Sequence, residues 1–252
     1  MKKTIAFILA AGMAVSLAGC GTSSGTASTT APSAETGAAA VETSSEAESA
    51  VSEDAIPETV TIKSLNASKE EIDLEVPYDP QRVAILDMAC LDILDSLGLG
   101  DRVVGSASTS LEYLQEYVTD ENIANLGTIK EADMEAVMAC EPDVIFIGGR
   151  LASSYDALSE IAPVVYLATD TELGVVESVR KNAATIASMF GEEEQVESLM
   201  ADFDSRIDAL SAFAEGKSAI VGLCTSGSFN ILGNDGRCSL IGIEAGFNNL
   251  GD

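Results

Sequence analysis

The chain has 252 residues, of which 41 are Asp or Glu and 13 are Lys or Arg, so its formal net charge is −28 at pH 7. This acidity argues against a nucleic-acid-binding surface, because phosphate binding needs a basic face. The sequence also contains no His. A Ser-His-Asp triad, a His-paired thiol nucleophile and an HExxH zinc site are therefore excluded.

The first twenty residues have the pattern of a bacterial lipoprotein signal. Two lysines precede an apolar stretch from Ile5 to Leu17, and small residues then lead to Cys20. This order is typical of a secretory signal. We expect residues 1–19 to be removed and Cys20 to be acylated, which places the protein on the extracytoplasmic face of the cell membrane. An uncleaved transmembrane anchor is the alternative, but the apolar stretch is shorter than the ~20 residues that span a bilayer.

Residues 20–56 form a predicted tether. After Cys20 they are nearly all Ser, Thr, Ala, Gly and Glu, with no Lys or Arg. Such a segment buries too little surface to offset the entropy of ordering it, so we expect an acidic, disordered connection between the membrane and a folded body. Removal of residues 1–19 leaves 11 basic and 41 acidic residues, a net charge of −30.

The folded body begins with strand signals. Residues 59–63 and 71–76 alternate polar and apolar side chains, which predicts a half-buried hairpin. Four short predicted strands come next, and apolar residues at helical spacing predict three helices among them. The strands cover residues 82–86, 102–105, 143–147 and 164–167, and the helices cover 88–97, about 132–140, and 154–161. This order indicates a largely parallel sheet with helices on its faces.

Two longer helices are predicted after the sheet. One apolar stripe extends from Val175 to Phe190 and ends at Gly191, a good C-cap residue. The second stripe extends from Val196 to about Phe213. A helix of about 20 residues is roughly 30 Å long, enough to cross a small domain.

Strand signals return near residue 216. Residues 218–223 and 229–232 are predicted strands, and a helix is expected from about Cys238. These elements indicate the start of a second αβ lobe. Two strands and one helix are too few to build an independent core.

Two arginines lie where open parallel sheets bind ligands, beyond the carboxyl ends of strands. Arg150 follows Gly148 and Gly149, and Arg237 follows the glycine-rich loop 233–236, each directly before a predicted helix. An Arg at a helix N-terminus is unfavourable unless an anion joins it. Each Arg could instead pair with a nearby carboxylate. Their matched positions favour an anionic ligand of small-molecule size.

The body contains four cysteines, at positions 90, 140, 224 and 238. None belongs to a CxxC pair, so a thiolate metal site or thioredoxin-type redox chemistry lacks support. Four cysteines permit three disulfide pairings, and the sequence does not choose among them. We predict that each cysteine is a small buried hydrophobe.

Several blocks of the sequence resemble the iron-siderophore substrate-binding lipoproteins of ABC importers. The blocks are PQRVAILD at residues 80–87, LDILDSLGL at 91–99, LGTIKEADME at 126–135, EPD at 141–143, GGR at 148–150 and IAPVVYL at 161–167. Together they make the resemblance specific, and it covers about residues 58–252.

The resemblance implies an α/β fold with two Rossmann-like αβ lobes joined by a long backbone helix, the class III periplasmic-binding-protein type. Residues 57–191 would form the N-terminal lobe, 192–213 the interlobe helix and 214–252 the start of a C-terminal lobe that is incomplete in this chain. In that family a ferric siderophore lies between the lobes, and here we expect a catecholate or carboxylate type. The siderophore carries the Fe³⁺, so no metal site or other cofactor of the protein is implied.

The resemblance also implies the residues that contact the ligand. The ligand-binding candidates are Arg150, Arg237, Gly149, Ser108, Thr109, Ser110, Leu111, Thr128, Lys130 and Met88. Glu135 resembles the carboxylate with which related proteins dock on the permease, although a solvated helix face would also explain an acidic residue there. We expect a monomer whose partners are a ferric siderophore and the permease subunits of an ABC transporter.

Two other kinds of function stay open at this point. The first is a binding protein for cobalamin, haem or a metal ion, although a bare metal site needs His or converging carboxylates. The second is an extracellular hydrolase, for which neither a GxSxG elbow nor a His is present. Members of the resembled family usually continue with further strands and helices, a third cleft arginine and, in some, a His and a Tyr that ligate iron. Their absence predicts a truncated second lobe.

Overall fold

A computed structural model describes residues 57–170 and 172–252, apart from the side chain of Arg237. The described residues belong to one compact unit. The predicted signal sequence, Cys20 and the tether lie outside the described residues and stay predictions.

The described residues form short strands and six α-helices. The strands in chain order are β1 (Thr59–Leu65), β2 (Glu71–Pro77), β3 (Val83–Leu86), β4 (Val103–Ser106), β5 (Ala124–Asn125), β6 (Gly127–Thr128), β7 (Glu131–Ala132), β8 (Val144–Ile147), β9 (Val164–Tyr166), β10 (Ser218–Ala219), β11 (Val221–Thr225), β12 (Ser228–Leu232) and β13 (Asn248–Asn249). The α-helices are α1 (Met88–Ser96), α2 (Glu116–Thr119), α3 (Met134–Ala139), α4 (Tyr155–Ser159), α5 (Val175–Phe190) and α6 (Glu193–Ala214).

The predicted N-terminal hairpin is confirmed. Strands β1 and β2 pair antiparallel with Val60 opposite Val76 and Ile62 opposite Leu74. Ile62 is buried while its neighbour Thr61 is exposed, as alternation of the two faces requires.

The central sheet has five parallel strands in the order β5-β4-β3-β8-β9. Strands β3 and β8 are buried along their whole length, as their continuous apolar sequences predict. Successive side chains of a strand point to opposite faces, so the sheet contributes to two cores. Ile85 and Phe146 pack in one core with α1 and α5, and Leu86 and Ile147 pack in the other with α3 and α4. The predicted α/β fold with a parallel sheet is confirmed.

The ends of two predicted helices also agree with their sequence signals. Asp87 caps α1, because its Oδ1 accepts hydrogen bonds from the backbone N–H groups of Ala89 and Cys90 at 3.0 and 3.1 Å. Helix α5 ends at Gly191, whose φ of 72° lies in the left-handed region that glycine favours.

Two predicted helices of the sheet region are shorter than expected. The helix predicted over 132–140 begins at Met134, because Ala132 pairs with Gly127 in a small hairpin and Asp133 is the N-cap. The helix predicted over 154–161 is only α4, and a 3₁₀ helix, Gly149–Ser154, precedes it.

The segment after α6 differs more from its prediction. Strand β10 is only two residues long and pairs parallel with β13, while β11 and β12 form an antiparallel hairpin. The hairpin turn is Ser226-Gly227, and both residues have the positive φ angles that tight hairpin turns favour. The helix predicted from Cys238 is a 3₁₀ turn, Gly236–Cys238, followed by a single π-helical turn. Gly242 and β-branched residues in this turn are weak α-helix formers.

This segment buries little apolar surface. Among the described residues after Ala214, Ala245 is the only apolar residue that is buried, whereas Phe229 and Ile231 are 61% and 57% exposed. The role of α6 as a connection between two lobes stays a prediction.

Candidate functional site

The candidate residues other than Arg237 lie in loops at one edge of the parallel sheet. Met88 follows β3, Ser108 follows β4, and Arg150 follows β8. Because parallel strands all end at the same edge, these loops are neighbours. Contacts of Asp87 with Gly148 and of Ser108 with Gly127 join neighbouring loops at this edge.

The loops after β3 and β8 touch at Asp87 and Gly148. The Oδ2 atom of Asp87 occupies the space where a Cβ on Gly148 would lie, so no larger residue fits without moving the Asp87 carboxylate. Since the other oxygen of Asp87 caps α1, this contact also fixes the start of that helix. The glycine in this loop is therefore needed for close approach of two loops.

Arg150 is the second residue of the 3₁₀ helix that starts at Gly149. Its side chain is exposed, and among the described residues it forms no ion pair. A Cβ on Gly149 would lie 3.2 Å from the hydroxyl oxygen of Tyr166, which is buried at the end of β9. Burial raises the pKa of the Tyr166 hydroxyl, so this group is a neutral donor beside the Arg150 loop.

The loop after β4 is tied to the small β6–β7 hairpin. Both the backbone N–H and the hydroxyl of Ser108 donate to the carbonyl oxygen of Gly127, at 2.9 and 2.7 Å. Thr109 accepts a hydrogen bond from the Leu111 N–H at 3.2 Å, which turns the chain back. Ser110 and Leu111 are exposed. The loop therefore presents polar and apolar surface beside the hairpin.

The β6–β7 turn directs Lys130 toward solvent. The hydroxyl oxygen of Thr128 accepts hydrogen bonds from the N–H groups of Lys130 and Glu131, at 3.2 and 3.1 Å. Lys130 is exposed and, like Arg150, has no ion-pair partner among the described residues. The same turn places Ile129 against the apolar cluster that contains Leu151, and Met88 packs against the same cluster.

The structure thus brings most predicted ligand-binding residues to one edge. Met88, the loop 108–111, the turn 128–130 and Arg150 share this edge through the contacts given above. Arg237 lies in the 3₁₀ turn Gly236–Cys238, but its side chain is outside the described part, so its convergence with Arg150 stays a prediction.

Glu135 is exposed in the first turn of α3. The N-cap of this helix is Asp133, whose Oδ1 accepts from the Ala136 N–H at 3.0 Å. Met138, one turn further along, is 62% exposed. Residues three apart are neighbours on a helix surface, so this face presents a carboxylate beside an apolar group.

The cysteines agree with their prediction only in part. Cys90 and Cys140 are buried, and burial raises the pKa of both thiols. Cys238 is half-buried, and the prediction is wrong for Cys224, which is exposed. The reason is that β11 belongs to a two-stranded hairpin that no helix of the described part covers. All four thiols are free.

Two residues of the edge escape the sequence analysis. The first is Asp87, whose carboxylate contacts Gly148 and caps α1. The second is Tyr166, whose hydroxyl lies next to Gly149. Each has a polar group at the carboxyl end of a buried apolar strand. Residues at this position in a parallel sheet often line a ligand site, so the position could have identified them. Within residues 57–170 and 172–252, no group of three or more Cys, Asp or Glu residues is placed to hold a metal ion.

None of the helices in the described ranges combines the length and apolar character that crossing a membrane requires.

Comparison with known proteins decides the family. The profile of the periplasmic binding protein family matches residues 83–250. The chain belongs to this family. The match begins at β3 and includes the whole edge described above.

Two proteins of similar sequence come from bacteria. The petrobactin-binding protein YclQ of Bacillus subtilis is 33% identical over 199 residues, which cover 78% of this chain and 61% of YclQ. The ferric-anguibactin-binding protein FatB of Vibrio anguillarum is 27% identical over 168 residues, which cover 64% of this chain and 52% of FatB. The chain therefore spans less than two thirds of the length of these relatives.

Solved structures of the family show the same fold. The crystal structure of YclQ matches with a TM-score of 0.71 and 32% identity, over 77% of this chain and 67% of YclQ. The iron-uptake substrate-binding protein PiuA of Streptococcus pneumoniae matches with a TM-score of 0.68 and 29% identity, over 77% and 68% of the two chains. The siderophore-binding protein BauB, solved with two acinetobactin molecules and ferric iron, matches with a TM-score of 0.68 and 26% identity, over 76% and 67%.

Proposed function

We propose that this periplasmic binding protein captures a ferric siderophore outside the cytoplasm and delivers it to the permease of an ABC importer. The relatives support this proposal, because YclQ is named for petrobactin, FatB for ferric anguibactin, and BauB contains ferric acinetobactin. The chain spans only part of the length of these proteins. The proposal therefore also rests on residues of this chain.

The observation that carries the proposal is the pair of free cations at the sheet edge. The protein has a net charge of −28, yet Arg150 and Lys130 are exposed there without an ion-pair partner in the described part. An anionic ligand would satisfy both side chains. Each charged hydrogen bond to such a ligand contributes about 1.5–3 kcal/mol. Met88 and Leu111 would contact its apolar parts.

We propose that binding and release are the whole function, without catalysis. The sequence lacks His, and the candidate edge offers hydrogen-bond donors and cations rather than a nucleophile beside a base. The ligand would bring its own Fe³⁺, so the protein would need no resident metal or other cofactor.

We propose a lipid on Cys20 as the membrane anchor, with residues 20–56 as the tether. The sequence pattern before Cys20 supports this assignment. Replacement of Cys20 by Ser should release the protein from membranes into the medium or periplasm. Labelling with radioactive palmitate should mark the wild-type protein and not the Cys20→Ser protein.

We propose that Glu135 contacts the permease and that the binding protein acts as a monomer. The exposed carboxylate beside Met138 supports a docking face on α3. Glu135→Ala should reduce siderophore-dependent iron uptake in cells while siderophore affinity stays unchanged. Loss of affinity in this variant would contradict a docking role.

Ligand titration tests the proposed function. The chain has five Tyr and no Trp, so tyrosine emission is the intrinsic signal. Tyr155 and Tyr166 flank the Arg150 loop, and we expect ferric petrobactin to quench this emission more strongly than the iron-free compound. Loss of one charged hydrogen bond in Arg150→Ala should weaken binding by about 10- to 100-fold.

The matched control is Arg206→Ala. Arg206 is exposed on α6 and pairs with Asp202 at 2.6 Å, so its removal deletes the same side chain from a different surface. The control should bind as the wild type does. Equal losses in both variants would mean that net charge alone explains the affinity, which would contradict a site at Arg150.

A further inference from the structure

A cavity lined by lysines lies between the N-terminal hairpin and α5. It has a volume of about 270 Å³ and is bounded by the hairpin, the end of β9 and the exposed side of α5. Three lysines line it, namely Lys63, Lys69 and Lys181. Of the 13 Lys and Arg residues of the chain, Lys2 and Lys3 precede the folded body, so this cavity holds three of the remaining eleven.

The cavity adjoins the candidate siderophore edge, because Tyr166, whose hydroxyl lies beside Gly149, also lines it. Its hairpin wall packs on the outer strand β9, and Ser64 accepts a hydrogen bond from the Tyr166 N–H at 2.9 Å. None of the ligand-binding residues predicted from the sequence lines it. An adjoining depression also includes Lys63 and Lys181, together with Thr61, Thr185 and Ser188. The lysines therefore border a longer groove between β1 and α5.

Two of the lysines form ion pairs with carboxylates, and both ion pairs are exposed. The Nζ atom of Lys63 lies 2.7 Å from Asp73, and that of Lys181 lies 2.9 Å from Glu71. All four side chains are about half or more exposed, and ion pairs with this exposure contribute little to stability. A competing anion can therefore replace these partners at small cost. Asp170 is the other acidic residue that lines the cavity.

Lys69 occupies a backbone position that favours glycine. Its φ is 64°, in the left-handed region, where a side chain is disfavoured relative to glycine. Its N–H donates to the carbonyl oxygen of Asn66 at 2.9 Å, which any residue except proline could do. Its side chain is exposed and forms no ion pair within the described residues. The turn itself gains nothing from a lysine here, whereas the cavity gains a third ammonium group.

We infer that this cavity binds a small, multiply charged oxyanion such as phosphate or citrate. Each lysine ammonium is a compact charge with three hydrogen-bond donors. An anion with several oxygens offers acceptors to more than one of these ammonium groups, whereas Asp73 and Glu71 each pair with one lysine. The bound anion would link the hairpin to α5 and stabilise the contact between them.

The test uses the full chain and two glycine variants with opposite predictions. Lys69→Gly relieves the strained backbone but removes a cation from the cavity. Glu141→Gly is the matched control, because Glu141 also has a positive φ, of 45°, and lies outside the cavity. Binding of citrate and of phosphate is measured by titration calorimetry, and melting temperature by calorimetry, against chloride at equal ionic strength.

We expect both variants to melt at or above the wild-type temperature in chloride. Affinity for citrate should fall about tenfold in Lys69→Gly, remain near wild type in Glu141→Gly, and be kept by Lys69→Arg. Unchanged citrate and phosphate affinity in Lys69→Gly would overturn the inference. Loss of the same affinity in Arg150→Ala would also overturn it, since the anion would then bind at the siderophore edge.

Discussion

The carboxylate of Glu244 accepts a hydrogen bond from the backbone N–H of Val175 at 2.6 Å, and this bond joins the last segment of the chain to the start of α5. The same oxygen accepts from the Val176 N–H at 3.3 Å and from the Ser239 hydroxyl at 3.1 Å. The first N–H groups of a helix have no partner within it, and a negative charge is favourable there. This polar contact therefore helps to hold a segment with almost no apolar core, together with the edge-on contact of Phe247 with Phe213 of α6.

Removal of this contact should loosen the C-terminal segment. Glu244→Ala should lower the free energy of unfolding by about 1–2 kcal/mol and increase amide hydrogen exchange in residues 236–249. Glu244→Gln should have a smaller effect, because its amide oxygen can still accept. Glu197→Ala, an exposed residue of α6, is the control. Equal exchange rates in the Glu244→Ala and Glu197→Ala proteins would contradict an anchoring role.

Gly148 should tolerate no side chain. In Gly148→Ala the new Cβ would overlap with Asp87 Oδ2 and displace the cap of α1. We expect a loss of about 1–3 kcal/mol in urea denaturation. Gly149→Ala is the matched control, since its Cβ would meet only the Tyr166 hydroxyl at 3.2 Å, and it should lose less. A larger loss in the control would show that the contact with Asp87 is not the constraint.

Stability should fall at alkaline pH through Tyr117. Burial, and then the hydrogen bond to Asp95 at 2.6 Å, raise the pKa of the Tyr117 hydroxyl. The folded state keeps this proton at pH values where the unfolded chain loses it. Stabilisation that is complete below the ordinary tyrosine pKa of about 10 is therefore lost as pH rises above it. Urea denaturation between pH 8 and 11 should show a shallower decline in Tyr117→Phe; an identical slope would refute this assignment.

Thiol labelling should distinguish the cysteines by exposure. Cys224 is exposed on β11, whereas Cys90 and Cys140 are buried with raised thiol pKa values. The thiolate is the reactive form, so a thiol reagent at neutral pH should label Cys224 first. Cys224→Ser should abolish the fastest labelling phase, and Cys90→Ser should leave it unchanged. A fastest phase that is unchanged in Cys224→Ser would contradict the assignment of this phase to Cys224.

The sequence predicts the parts of this fold that bury a continuous apolar pattern. The strand ending at Leu86 is predicted by its continuous apolar run, because a strand buried on both faces needs apolar side chains on both. The helix that ends before Gly191 is predicted by its apolar stripe, because one face of that helix is buried. The β6–β7 strands carry no periodicity, because each has two residues held by the Thr128 turn. After Ala214 few apolar residues are buried, so local turn geometry at Ser226-Gly227 decides the pairing instead.

The candidate site, like the fold, can be predicted from the sequence only in part. The position of Arg150 after a buried strand and two glycines is readable from the sequence, because strand ends in parallel sheets meet at one edge. The contact between Asp87 and Gly148 is not readable, since it joins residues 61 positions apart through three-dimensional packing. The lysine cavity is missed for the same reason, because Lys69 and Lys181 come from separate elements.

Equilibrium dialysis of radioiron-labelled ferric petrobactin against the full chain tests the central claim, that Arg150 and Lys130 hold an anionic ferric ligand at the sheet edge. The wild-type protein should retain the label, and the Arg150→Ala/Lys130→Ala double variant should bind it at least about 100-fold more weakly, because two charged hydrogen bonds are lost. Equal retention of the label by the wild-type and double-variant proteins would contradict the claim.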